Sequence, residues 1–383
     1  MKHIAIIGST GSIGTSALKV IEANPDKYQL VALAAGENID ILIKQIEKFH
    51  PELVATLHPD HAQRIREQFN ITALSGPEGL HDVAVFAKAD TLISAVSGSA
   101  GLVPTYAALE AGKEVALANK ETMVMAGRLM VEKAKRKGVS ILPIDSEHSA
   151  ILQCLQGHSR EDLKRIILTA SGGPFRHLSF RDLAKVTPQD ALRHPNWKMG
   201  RKVTIDSSTL MNKALEAIEA KWLFQLDMDK INIVVHPQSI IHSMVEYSDG
   251  SVIAQLGVPD MITPISYALS YPRHTPTNLP PLELAEIGTL TFEEPDLHRF
   301  PCLALGIAAA KEGDSMPVVL NGANEVAVDS FLNGSITFPQ IPWLIERTMA
   351  VHRPVQLDSI EQVVETDRWA RMQAKKELLN LLS

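Results

Sequence analysis

His3-Ile4-Ala5-Ile6-Ile7-Gly8-Ser9-Thr10-Gly11-Ser12-Ile13-Gly14 is the stretch whose reading decides the fold. Its first five residues form a continuous apolar run, as expected of a strand buried on both faces of a parallel sheet. The glycine-rich turn that follows leads into Thr15-Ser16-Ala17-Leu18-Lys19-Val20-Ile21, which has helical spacing. A strand, a glycine turn and a helix start together make a pyrophosphate cradle from backbone N–H groups and the helix N-terminus. The spacing is G-x-x-G-x-x-G, which departs from the commoner G-x-G-x-x-G fingerprint. The alternative is a plain glycine turn. Strand, turn and helix falling in register favours nucleotide binding.

Working outward, strands and helices alternate, as a doubly wound sheet requires. Residues 30–34, 53–56, 91–96 and 114–118 read as strands. An amphipathic helix ends at Phe49, and a second helix, 106–111, has Gly112 as its C-cap. Asn119-Lys120-Glu121 falls at the carboxyl end of a strand, where ligands of α/β sheets gather. Lys120 there could meet a phosphate or polarise a carbonyl; the plainer reading is an exposed helix start. Glu37 lies roughly 20 positions past the glycine loop, where a carboxylate usually binds a ribose 2′-hydroxyl. On the residues alone, that favours NAD over NADP.

Pro143-Ile144-Asp145-Ser146-Glu147-His148 follows a short apolar run, 139–142, read as a strand. Side chains two apart on a strand share a face, so Asp145 and Glu147 are expected to project together. Two carboxylates so placed form a costly like-charge pair unless a hard divalent cation joins them. The alternative is a solvated strand end with a capping residue, and a third oxygen ligand elsewhere decides between them. Glu216 offers it: Asn212, Lys213 and Glu216, by i,i+3 and i,i+4 spacing, lie on one side of a helix, and the plainer reading of Glu216 is an ordinary exposed glutamate paired with Lys213. The preceding Asp206, Ser207, Ser208 and Thr209 read as caps of that helix. Lys213 and Ser207 near a helix start make a phosphate site, with Ser171-Gly172-Gly173 as a second source of hydroxyl and free amides. Between them residues 176–202 are weakly periodic and carry Trp197 and Met199, the pattern of a lid.

Composition bounds the rest. A chain of 383 residues with 45% hydrophobic and 21% charged residues is that of a globular protein of two or three domains. A net charge of -7 argues against nucleic acid as the main partner. Two cysteines give neither a disulfide framework nor a metal spacing, which suits a reducing cytosol. No apolar run has the length of a membrane span, and the chain enters a strand within three residues, so no leader peptide is expected. The expected location is cytoplasmic.

The motifs GSTGSIG, ANKE, PIDSEHSA, SGGPF, HPNWKMG, DSSTLMNKALE and HPQSIIHSM together resemble the 1-deoxy-D-xylulose 5-phosphate reductoisomerase family, across essentially the whole chain. The pairing of DSEH with MNK-x-x-E is the specific part; the glycine loop by itself is not. The resemblance implies an enzyme of the step that commits carbon to the non-mevalonate isoprenoid pathway. Such an enzyme would rearrange 1-deoxy-D-xylulose 5-phosphate, by retro-aldol and aldol steps, and reduce the aldehyde to 2-C-methyl-D-erythritol 4-phosphate.

Position by position, the resemblance implies a divalent metal, Mg2+ or Mn2+ with Co2+ a further candidate, on Asp145, Glu147 and Glu216. It implies a phosphate grip of Ser171, Ser207, Asn212 and Lys213. Lys120, Ser146 and His194 would contact substrate, and Trp197 and Met199 would belong to a flap closing over it. Thr10, Gly11, Ser12, Ile13, Gly36, Glu37, Asn38, Asn119, Glu121 and Gly200 fall at NADPH-binding positions. Glu37 is a departure, because many relatives carry a basic residue there. A homodimer is implied by the family alone, with no nucleic-acid or membrane partner.

The expected architecture is α/β. Residues 1–145 would form the doubly wound dinucleotide-binding sheet, and 146–271 a central α+β catalytic domain with its flap at 176–202. A linker, 272–300, leads to a C-terminal helical bundle, 301–383. Its helices are expected at 302–312, 324–332, 341–350 and 360–382, with a capping box of Asp358 and Glu361. Two rivals stand beside this reading: a metal-independent dehydrogenase of a phosphorylated hydroxy acid, and a non-catalytic nucleotide-sensing module.

Overall fold

The computed structural model describes residues 1–193 and 200–382. The fold is α/β, and its contacts divide into two compact units. The first comprises Met1–Thr122, Met130–Ser149 and Asp260–Asn278. The second comprises Met123–Leu129, Ala150–Pro259 and Leu279–Ser383.

The first unit is built on a seven-stranded sheet in the order β4-β3-β2-β1-β5-β6-β7. Its strands are β1 Lys2–Ile7, β2 Tyr28–Ala34, β3 Leu53–Thr56, β4 Thr72–Ser75, β5 Thr91–Ser94, β6 Glu114–Leu117 and β7 Ile141–Pro143. Every pairing is parallel. Ile4, Ala5, Ile6 and Ile7 are fully buried, as their unbroken apolar run requires of a central strand. The order reverses at β1, between β2 and β5, and the crevice at such a switch point is where α/β sheets bind ligands. The connecting helices include α1 Ser12–Ala23, α2 Ile39–Phe49, α3 Pro59–Gln68, α4 Gly76–Ala84 and α5 Leu102–Glu110, with α6 Lys120–Lys137 and α7 Ser146–Cys154 after β6 and β7. Helix Ile262–Ser270 returns late in the chain to pack on α1.

The second unit holds a mixed four-stranded sheet, β11-β10-β8-β9. Its strands are β8 Leu163–Ala170, β9 Ile231–Val235, β10 Ile241–Tyr247 and β11 Val252–Leu256. Helix Met211–Phe224 packs on β8 and β9 and also against helix Pro301–Glu312. A Cβ added to Gly306 would stand 2.3 Å from the Ala214 Cβ, so this crossing is close enough to require glycine. Helices Met316–Leu332, Gln340–Ala350 and Ile360–Leu382 complete the bundle and share one core cluster with Met211, Ala214, Leu215 and Ile218. The helical segment therefore fixes the helix that carries Lys213 and Glu216.

Two local expectations are corrected. The helix expected at 324–332 begins at Met316, with Pro317 in its first turn, where a missing N–H costs nothing. The cap of the last helix is Ser359, whose hydroxyl accepts the Gln362 N–H at 3.3 Å, one residue later than a box of Asp358 and Glu361. No helix among the described residues is long and apolar enough to cross a membrane.

Candidate active site

In the first unit the glycine turn closes over the carboxyl end of β1. Gly8 and Ser9 donate to the Ala34 carbonyl, each at 2.9 Å, and Gly8 has φ +85. A Cβ on Gly14 would lie 2.4 Å from the Gly8 carbonyl oxygen, so strand and helix approach at a distance no side chain permits. Gly11 is the N-cap of α1 and contributes no side-chain cap. The first N–H groups of a helix have no intrahelical partner, and at this helix start Gly11 and Ser12 are exposed and Thr10 and Ile13 half-buried. Those features fit a dinucleotide pyrophosphate. At the end of β2 the turn Gly36-Glu37-Asn38 is exposed, and a Cβ on Gly36 would meet nothing within 4 Å. Asn38 Oδ1 accepts the Ile41 N–H at 3.2 Å and caps α2.

Asn119 caps α6, accepting the Thr122 N–H at 2.9 Å. Its Nδ2 donates to the carbonyls of Val96 at 2.6 Å and Gly98 at 2.8 Å, and to Glu121 Oε2 at 3.3 Å. Asn119, which also donates to Glu121, thus orders the loop after β5, on the other side of the switch point from Gly36 to Asn38. Lys120, the first residue of α6, donates to Asp145 Oδ2 at 2.9 Å.

Asp145 and Glu147 do not share a strand face. β7 ends at Pro143, and α7 begins at Ser146. Asp145 Oδ1 accepts the Glu147 N–H at 3.3 Å and the Asp145 carbonyl accepts the Ser149 N–H at 2.9 Å, so Asp145 behaves as a cap. The Ser146 hydroxyl donates to Glu147 Oε2 at 2.6 Å, and His148 Nδ1 lies 3.4 Å from Asp145 Oδ1. A helix N-terminus favours carboxylates, which accounts for both acids in one turn.

In the second unit, Asp206, Ser207 and Ser208 are the last turn of helix Arg201–Ser208, capped by Gly200, and they do not cap the next helix. Leu210, at φ +61, breaks the chain between that helix and Met211–Phe224. Thr204, Asp206 and Ser208 are buried; Lys202 holds Asp206 at 2.8 Å, and Asn324 donates to it at 2.9 Å. Asn212 Nδ2 and Lys213 Nζ both donate to Glu216, as the helical spacing predicts. Lys213 and Glu216 are buried, and a buried carboxylate is stable only beside a cation. The Ser171-Gly172-Gly173 turn has φ +81 and +67 at its glycines. A Cβ on Gly173 would stand 2.8 Å from the Ser207 carbonyl oxygen, so the turn presses against the end of Arg201–Ser208. Ser171, Ser207, Asn212 and Lys213 therefore belong to one unit, with Glu216 beside them. His194, Trp197 and Met199 lie outside the described residues.

The sequence reading missed His58. Its Nε2 is 2.9 Å from Glu37 Oε2, at the end of β3 beside the turn that ends β2. The signal available was His58-Pro59, an N-cap and N1 pair directly after a strand.

The family model described as 1-deoxy-D-xylulose 5-phosphate reductoisomerase matches residues 4–127. Models of that enzyme's C-terminal domains match residues 141–224 and 256–373. The reductoisomerase of Geotalea uraniireducens is 55% identical over 384 residues, covering 100% of this chain and 99% of its own. The solved structure of the Zymomonas mobilis enzyme in complex with NADPH is 43% identical with a TM-score of 0.92, covering 98% of this chain and 99% of its own. A structure of DOX-P reductoisomerase with NADPH, fosmidomycin and magnesium is 40% identical with a TM-score of 0.94, covering 100% of this chain and 99% of its own.

Proposed function

The chain belongs to the 1-deoxy-D-xylulose 5-phosphate reductoisomerase family, and from that premise we propose how its residues divide the work. The reaction is the NADPH- and divalent-metal-dependent conversion of 1-deoxy-D-xylulose 5-phosphate to 2-C-methyl-D-erythritol 4-phosphate. When bound, the cation supplies Lewis-acid polarisation of the ketone, and NADPH supplies the hydride. NAD, favoured by Glu37 taken alone, gives way to NADPH.

Asp145, Glu147 and Glu216 would hold the cation. The donor set suits a hard ion: three carboxylates, with no sulfur ligand. The observation that carries this assignment is that two of them are already held against an ammonium in their own units, Asp145 by Lys120 and Glu216 by Lys213. These two carboxylates therefore sit where a positive charge is already set against them. Lys120 and Ser146 would orient the reacting end of the substrate, with His194. Ser171, Ser207, Asn212 and Lys213 would grip the phosphate, whose remote binding energy supports orientation at the reacting carbons. Trp197 and Met199 would cover the substrate and exclude water. Gly11, Ser12 and Ile13 would bind the NADPH pyrophosphate, with Thr10, Gly36 to Asn38, Asn119, Glu121 and Gly200 at its remaining contacts.

NADPH consumption with the ketose phosphate, with and without EDTA, tests the reading. Metal-dependent turnover supports it. Turnover that survives EDTA points to the metal-independent dehydrogenase, and tight NADPH binding without turnover to the sensor. The quaternary and cellular reading is a cytoplasmic homodimer; a sedimentation mass of one chain would refute the dimer.

A further inference from the structure

We propose that His58 is a positioning residue for NADPH selectivity, acting through Glu37. The inference rests on the cofactor reading above, and all its residues lie in the first unit.

The topology brings the pair together. β2 and β3 are parallel neighbours, Ala34 pairs with Ala55, and the Ala35 N–H donates to the Ala55 carbonyl at 3.0 Å. The two strands thus release their chains side by side, one into Gly36-Glu37-Asn38 and the other into Leu57-His58-Pro59. The Thr56 hydroxyl donates to the His58 carbonyl at 2.8 Å and fixes the second turn. His61, one helical turn on, meets the His58 ring edge-on at 5.3 Å, with an interplanar angle of 86°. With its ring so braced, His58 directs Nε2 to Glu37 at 2.9 Å.

A carboxylate at residue 37 poses a specific difficulty. Left free beside the adenosine ribose, it would accept a 2′-hydroxyl and repel a 2′-phosphate. Held on His58, it is turned towards α3 with one of its oxygens engaged by the ring. A second acid–base pair, Asp40 of α2 with Arg64 of α3 at 3.5 Å, joins the helices that follow these two turns, and Asp60 stands in the first turn of α3. Gly36 contributes no side chain, and a Cβ there would meet nothing within 4 Å, so the turn stays open to the ribose. Sequence distance hides this arrangement, since 21 residues separate the partners.

Both side chains are substantially exposed, 47% for His58 and 74% for Glu37, so the effect is modest and salt-sensitive. Titration calorimetry on the full chain with adenosine 2′,5′-bisphosphate and with ADP reads it without turnover. His58→Ala is expected to weaken the 2′-phosphorylated ligand about fivefold while ADP changes less than about twofold. Adding Glu37→Gln to His58→Ala restores most of that loss, and it gains more there than in the unaltered background. Equal weakening of both ligands, no weakening of either, or no restoration by Glu37→Gln overturns the role assigned to His58. Failure of the unaltered protein to bind either nucleotide overturns the cofactor reading itself, and the role of His58 with it.

Discussion

Lys120 Nζ donates to Asp145 Oδ2 at 2.9 Å, and the two side chains are only 9% and 10% exposed. A buried pair of this kind is costly to break from one side, because the remaining charge has no solvent to return to. Asp145→Asn is the cleaner probe, since asparagine keeps the cap on α7 while removing the charge. Turnover is expected to fall by about a thousandfold, the order of 4 kcal/mol of lost transition-state stabilisation. NADPH affinity, followed by its fluorescence, should stay near the unaltered value. Near-native kcat in Asp145→Asn with EDTA present would remove Asp145 from the metal site.

Lys213 and Glu216 make a tighter burial, at 3% and 1% exposure. Lys213→Ala takes the ammonium from beside the buried Glu216 carboxylate and is expected to cost about 3–5 kcal/mol of stability. Lys213→Ala with Glu216→Gln removes both charges and should recover most of that in urea unfolding. Substrate binding behaves differently. Lys213→Ala should weaken affinity for the phosphorylated ketose and lose far less for its dephosphorylated analogue, whereas the double variant also lacks a cation ligand and is read for stability alone. Equal losses with the two ligands would mean that Lys213 does not grip phosphate.

The glycine turn separates packing from exposure in one comparison. In Gly14→Ala the new methyl would sit 2.4 Å from the Gly8 carbonyl oxygen and 2.5 Å from the Ser9 Cα, both backbone atoms that cannot swing aside. A loss of about 1–3 kcal/mol is expected, with NADPH affinity reduced about tenfold as the cradle shifts. Gly36→Ala adds its methyl to open space and should unfold within about 0.5 kcal/mol of the unaltered protein. If Gly14→Ala matches Gly36→Ala in both stability and cofactor affinity, the close strand–helix approach has no functional weight.

What the sequence made legible follows the range of each interaction. Ile4 to Ile7 and the glycines after them are local signals, and the strand, turn and helix appear as read. Asn212, Lys213 and Glu216 were also legible, since helical spacing alone sets their contact. Asp145 and Glu147 were placed together for the wrong reason: no pattern in Ile144-Asp145-Ser146 marks where a three-residue strand stops. The mixed sheet was less visible. Residues 231–256 contain three short strands whose order depends on pairing with β8, a long-range fact. β4 was missed because only Ala73 among its residues is buried, leaving no apolar run. Strand order likewise hid the Glu37–His58 pair.

The two thiols give a pH-dependent test independent of catalysis. Burial pushes the Cys302 thiol up to about 12, despite an opposing hydrogen bond from Thr209, and the Asp206 carboxylate adds to the rise. Burial likewise raises Cys154 to about 11. Folded protein therefore holds protons that an unfolded chain releases above about pH 8.5. The sign follows: this contribution to stability is complete below the unfolded value and is lost as pH rises towards 11 and 12. Between pH 8 and 10 each thiol should remove on the order of 2 kcal/mol of unfolding free energy. A double variant, Cys154→Ala with Cys302→Ala, is less stable at pH 8 for want of packing, but its stability should fall less steeply towards pH 10. Lysines and tyrosines titrate in both proteins, so the difference in slope isolates the cysteines. Iodoacetamide at pH 8 should label neither thiol in the folded protein and both in urea, because the thiolate is the reactive form and neither sulfur ionises while buried. Parallel slopes for the two proteins, or rapid labelling without urea, would show that these sulfurs reach solvent in the native state.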